Sequence, residues 1–179
     1  MNRKMVVAAA VLSAVSFAPK AGAQTGYVWA GAAATVPIGD SKDVVKTGWL
    51  ADAGYGRPFG ATKRFSWQLQ GLFGSSSAKV GDASTTLMGG IVNLSYGPAP
   101  TAPMGWYGIV GVGMLNAKPD VGDSESKAAY HVVGGFTKTL SPKFSMYVEA
   151  RYMATTGDNK LTMIPIAAGL SMPVGGGGN

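Results

Sequence analysis

Residues 144–155, FSMYVEARYMAT, alternate with a period of two. Phe144, Met146, Val148, Ala150 and Tyr152 share one face; Ser145, Tyr147, Glu149, Arg151 and Met153 share the other. A strand of this kind has one apolar face and one face bearing an acid and a base two residues apart. In a water-soluble sandwich the polar face meets solvent and the apolar face a core. In a small membrane barrel the apolar face meets lipid and the polar face fills the lumen, where Glu149 and Arg151 neutralise each other.

The N-terminus separates from this pattern. Met-Asn-Arg-Lys precedes an apolar run, Met5–Ala18, broken by Pro19 and followed by Ala21-Gly22-Ala23. A positive end, an apolar middle and an A-x-A site are the order of a secretory signal peptide. The run is about 14 residues, short of the roughly 20 a membrane-spanning helix needs. The expected organisation is therefore a cleaved signal peptide over 1–23, a β-barrel over 24–174 and a flexible glycine-rich tail over 175–179. The sequence has no cysteine, which removes disulfide staples and a lipoprotein anchor from consideration.

Beyond residue 23 no stretch is apolar for 18 residues, so a membrane-embedded form must be a closed barrel, which pairs every backbone group within itself. The formal charge of +6 owes three units to Arg3, Lys4 and Lys20. The remaining excess of about +3 is too small and scattered for nucleic-acid binding, which needs clustered bases on one face. Glycine supplies 27 of 179 residues, about twice the usual share of roughly 7 per cent. Most sit inside apolar runs, as Gly105, Gly108, Gly111 and Gly113 do, where they mark the bends and close approaches a small barrel needs.

Eight strand candidates follow in order: 26–38, 47–57, 64–74, 83–96, 104–116, 126–140, 144–155 and 160–174. Turn residues separate them. Segments of about ten alternating residues between turns are the signature of a transmembrane barrel. Trp29, Trp49, Tyr55, Phe65, Trp106, Tyr130, Phe136 and Tyr152 fall near strand ends, where membrane interfaces favour aromatic rings. The predicted fold is all-β: an eight-stranded antiparallel up-and-down transmembrane β-barrel. Its outer loops, each short but together longer than the turns at the other end, are 39–46, 75–82, 117–125 and 156–159.

The string Tyr147-Val-Glu-Ala-Arg-Tyr152, a short turn, and Ile164-Pro-Ile-Ala-Ala-Gly-Leu170 resemble the last two strands of the OmpA/OmpX-like eight-stranded outer-membrane β-barrel family. The resemblance covers the signal peptide, the strand spacing and roughly the last 30 residues. It implies a monomer in the outer membrane of a Gram-negative cell envelope, in contact with outer-membrane lipid and lipopolysaccharide and inserted by the barrel-insertion machinery. One feature departs from the family: the last strand runs through Ser171-Met172-Pro173-Val174 into glycines, without the terminal aromatic residue that marks a barrel for insertion.

The expected lumen carries a structural polar network of Glu149, Arg151, Asp52, His131, Gln68, Gln70 and Asn93. An unpaired buried charge costs several kcal/mol, so pairing alone accounts for the acid and base. His131 is the only histidine. Lipid A-modifying barrels use a histidine with a nearby serine and an acid, but Val132 and Val133 follow His131 here, so no catalytic residue is assigned. One histidine and no cysteine exclude the usual zinc spacings. Asp40/Asp43 and Asp120/Asp123/Glu125 lack the spacing of a calcium loop, so no metal ligand is assigned. Gly108-x-x-Gly111-x-Gly113 precedes no helix and is no nucleotide loop; no cofactor is expected. An eight-stranded lumen is just filled by side chains. The expected function is therefore structural or surface-interacting, with neither an open pore nor catalysis. The alternative is a soluble exported lipocalin-like barrel that binds a small apolar ligand; a third reading, ranked below it, is a lipid A-modifying barrel enzyme.

Overall fold

In the computed structural model, which describes residues 26–79, 83–99, 102–120, 123–157 and 160–175, eight strands form one antiparallel sheet closed on itself. They are β1 (Gly26–Pro37), β2 (Gly48–Phe59), β3 (Phe65–Ser77), β4 (Ser84–Tyr96), β5 (Met104–Pro119), β6 (Glu125–Ser141), β7 (Phe144–Thr155) and β8 (Thr162–Val174). Each pairs with its chain neighbour, and β1 pairs with β8 from Gly26↔Val174 to Pro37↔Met163. The expected signal peptide and all of the glycine tail except Gly175 lie outside the described residues.

Several strand ends differ from expectation. β2 runs on to Phe59, which pairs with Phe65, and β3, β5 and β6 run further toward the outer loops, because the ladder continues through Ser77↔Ser84 and Ala117↔Glu125. The first loop, read as irregular, holds a single helical turn, α1 (Ser41–Val44). Ser41 Oγ anchors it by donating to the Lys160 carbonyl (3.3 Å) and accepting from Thr162 N–H (2.9 Å).

Alternation sorts every strand into an inner and an outer face. The outer face is an apolar belt: Leu69 is 51 % exposed, Val112 66 %, Trp106 78 % and Ile166 59 %. Ring contacts mark both edges of the belt. Toward the tight turns Phe65 lies 5.0 Å from Tyr96, and Trp106 5.2 Å from Phe136; toward the longer loops Trp49 lies 5.7 Å from Phe73, and Tyr130 6.4 Å from Tyr152. An apolar band between two aromatic girdles is the exterior a bilayer requires. Trp29 is not part of it. Its register with Gly54 puts it on the lumen side, and its Nε1 donates to Asp52 Oδ2. Trp29 is followed by the small residues Ala30, Gly31, Ala32, Ala33 and Ala34, so the sequence has little contrast between faces to reveal this.

The lumen has two layers. In the loop-side half Leu50, Leu72, Leu87, Leu115, Met153 and Met163 are buried against one another. The half nearer the turns is polar.

Single-tryptophan variants test the two faces. In bilayers with brominated acyl chains, a variant retaining only Trp106 is expected to lose most of its emission, while one retaining only Trp29 keeps most of its own. Equal quenching would contradict the assignment.

Candidate functional site

The polar half of the lumen centres on Arg151. β7 carries Glu149 and Arg151 on its inner face, and β2 brings Asp52 across from the other side. Arg151 Nη2 lies 2.5 Å from Glu149 Oε1 and 3.6 Å from Asp52 Oδ2, and only 2 % of the Arg151 side chain is exposed. Asp52 Oδ2 also accepts from Gln70 Nε2 (2.6 Å) and Trp29 Nε1 (3.1 Å). Glu149 Oε2 accepts from the Tyr107 hydroxyl at 2.8 Å. Hydrogen bonds to charged groups are the strong ones, so each carboxylate is held by both a cation and neutral donors.

From Asp52 the network continues through neutral groups. Asn93 Nδ2 donates to Gln70 Oε1 (3.0 Å) and to Gln68 Oε1 (3.3 Å), and Gln68 Nε2 donates to the Tyr27 hydroxyl (2.9 Å). Asn93 Oδ1, an acceptor, lies 2.8 Å from His131 Nε2, so that nitrogen carries the ring proton. The geometry thus brings together Asp52, Gln68, Gln70, Asn93, His131, Glu149 and Arg151, and adds Tyr27, Trp29 and Tyr107. Tyr107 was findable: it falls on the face opposite Trp106 and Val110. Tyr27 and Trp29 were not, for want of contrast in β1.

Strand register explains how these groups reach one another. Asn93, Gly111 and His131 stand side by side on β4, β5 and β6; Tyr107, Gly135 and Glu149 do so on β5, β6 and β7; Tyr27, Gly56 and Gln68 on β1, β2 and β3. In each triple the outer two side chains hydrogen-bond across the central glycine. A Cβ on Gly135 would meet the Tyr107 ring, and one on Gly111 would meet both Asn93 and His131. The glycines are the floor over which long side chains cross. Pro165 adds a second local feature. It faces the lumen opposite Arg151, and the β7–β8 register is interrupted between Ala150↔Ile166 and Met153↔Met163, where proline has no N–H to contribute.

The loop-end acids do different work. Asp120 Oδ2 accepts from the Ser84 hydroxyl (2.6 Å) and from Ser84 N–H (2.9 Å), and these donors hold its carboxyl below the usual carboxylate range. Glu125 pairs with Lys127 at 3.2 Å. Among the described residues no three of the metal-ligating types converge.

The profile of the outer membrane protein beta-barrel domain matches residues 7–176. The chain belongs to this family of outer-membrane β-barrels. No curated protein matches it significantly by sequence. Among solved structures, Neisserial surface protein A is similar, with 14 % identity, TM-score 0.65 and coverage of 82 % of this chain and 96 % of that one. Ail of Yersinia pestis, solved with the heparin analogue sucrose octasulfate, is 19 % identical with TM-score 0.50, covering 83 % of this chain and 99 % of its own. At these identities the likeness speaks for the fold. Family membership places the barrel in the outer membrane and accords with the apolar exterior described above.

Neighbouring glycines on β6 give a sharp test of the crossing geometry. Gly135→Ala is expected to lower unfolding free energy in lipid by about 1–3 kcal/mol, as overpacking does. Gly134→Ala points into open space outside the barrel and should lie within about 0.5 kcal/mol of wild type. Denaturant titration of the two variants in vesicles reads the difference, and equal effects would refute the crossing.

Proposed function

We propose that this protein is a non-conducting, non-catalytic outer-membrane barrel, exported through the inner membrane, that stabilises the envelope or presents its loops at the cell surface. The observation that carries the reading is the filled lumen. Leu50, His131, Arg151 and Met153 are each 2 % exposed, and the apolar layer packs where a carrier would hold its ligand and a pore its water. Hydration of an ion path would require these side chains to part.

The absence of catalysis is supported by where the reactive groups point. His131 lies inside the barrel, bonded to Asn93, out of reach of a lipid substrate on the exterior. Glu149 is occupied by Arg151 and Tyr107, so it is no poised base, and the partner of His131 Nε2 among the described residues is the amide of Asn93 rather than a serine hydroxyl. The apolar belt argues against the soluble carrier, since so large an exposed hydrophobic surface is foreign to a monomer in water.

The proposed partners are outer-membrane lipid, lipopolysaccharide at the loop end and the barrel-insertion machinery, with the barrel itself a monomer. Ail was solved with a heparin analogue. Here the loop-end lysines alternate with acids, as Lys42 does with Asp40 and Asp43, so the loops are not assigned a heparin-like partner.

Purified barrel reconstituted in planar bilayers is expected to give no reproducible unitary conductance step. A stable step of fixed size would overturn the plugged-lumen reading.

A further inference from the structure

The charges of the barrel are segregated by end. At the tight-turn end, where Gly26 and Val174 pair, stand Arg57, Lys63, Arg64, Lys138 and Lys143, all exposed. No acidic side chain among the described residues shares that end. Asp52 and Glu149 are in the lumen, and the other described acids, Asp40, Asp43, Asp120, Asp123 and Glu125, stand at the opposite end. The loop end thus holds charges of both signs, and Lys127 pairs there with Glu125 at 3.2 Å. Lys63, Arg64, Lys138 and Lys143 have no acidic side chain at their end among the described residues.

Their depth is as telling as their sign. Arg57 continues the outer face of β2 one step beyond Tyr55, and Lys138 continues that of β6 one step beyond Phe136. Arg64 lies with its guanidinium carbon 4.6 Å from the centre of the Tyr96 ring, and its Nε donates to the Gly97 carbonyl at 3.0 Å. That bond ties two turns into one rim. Phe59 and Phe65, 6.0 Å apart, and the Trp106–Phe136 pair form the girdle directly beneath it. Aromatic rings settle at headgroup level, and long basic side chains just past them extend to the phosphates. Lys63, Arg64, Lys138 and Lys143 are like charges on one rim and repel one another unless counter-charge is supplied, and an anionic leaflet supplies it.

We infer that the turn-end rim is a binding surface for anionic glycerophospholipid headgroups of the leaflet it faces, with Lys63, Lys138 and Lys143 as exposed contacts and Arg64 as the ordered one. The inference rests on the membrane-spanning reading and adds lipid selectivity confined to one end.

The test uses the folded barrel in phosphatidylcholine bilayers, with spin-labelled phosphatidylglycerol or phosphatidylcholine as probe. Wild type is expected to hold phosphatidylglycerol in its motionally restricted shell about two- to threefold more than phosphatidylcholine, a preference lost at high salt. The triple variant Lys63→Gln/Lys138→Gln/Lys143→Gln should lose the preference, and the loop-end control Lys42→Gln/Lys79→Gln/Lys118→Gln should keep it. Equal preference in both triples, no preference in wild type, or a preference indifferent to salt would overturn the proposal. Should the first triple fail to fold, the wild-type headgroup and salt comparison decides alone. A restricted shell without selectivity sinks only this inference, whereas no restricted shell at all sinks the membrane-spanning reading beneath it.

Discussion

Arg151 is the interaction on which the lumen depends. A chain whose outer face is committed to lipid must put its remaining polarity inside, where there is room for little more than one layer of side chains. Two carboxylates, Asp52 and Glu149, approach each other there from β2 and β7. Without a cation between them they would be buried like charges, and removing one partner of such an arrangement costs about 3–5 kcal/mol. The guanidinium between them turns a liability into a cross-brace linking opposite walls of the barrel. The neutral donors Gln70, Trp29 and Tyr107 then occupy carboxylate lone pairs the arginine leaves open.

Closure of β1 on β8 makes this possible, because only a sheet without edges leaves no unpaired backbone in lipid. Closure at eight strands also fixes the width, and width sets what each half of the lumen can hold. The loop-side half takes leucines and methionines in contact with one another. The turn-side half takes long polar side chains, which must lie along the wall to fit. The inward glycines permit that. Gly56, Gly111 and Gly135 each leave out a Cβ where a hydrogen bond between neighbours crosses, and Gly54 and Gly89 make room for the Trp29 ring and for Leu115, so the high glycine content is in part a packing requirement distributed strand by strand.

Much of this was legible in the chain. The alternation of β7 separated Glu149 and Arg151 from Phe144, Met146 and Val148, and the same parity in β3 and β4 put Gln68, Gln70 and Asn93 on one face. What alternation cannot supply is register. That Gly111 stands between Asn93 and His131, or Gly135 between Tyr107 and Glu149, depends on how far each strand slides past the next. β1 was opaque for another reason: alanine on both faces hides which side Trp29 takes. Alternation also puts Leu50 on the face of Asp52, but only the closed sheet brings Leu50, Leu72 and Leu115 together as one apolar loop-side layer.

A double-mutant cycle on Glu149 and Arg151 tests the central claim most directly. Unfolding free energies in lipid vesicles are predicted to fall for Glu149→Ala and for Arg151→Ala singly, and the double variant to lose less than the sum by at least about 1 kcal/mol. Strict additivity of the two losses would mean that the pair does not brace the lumen.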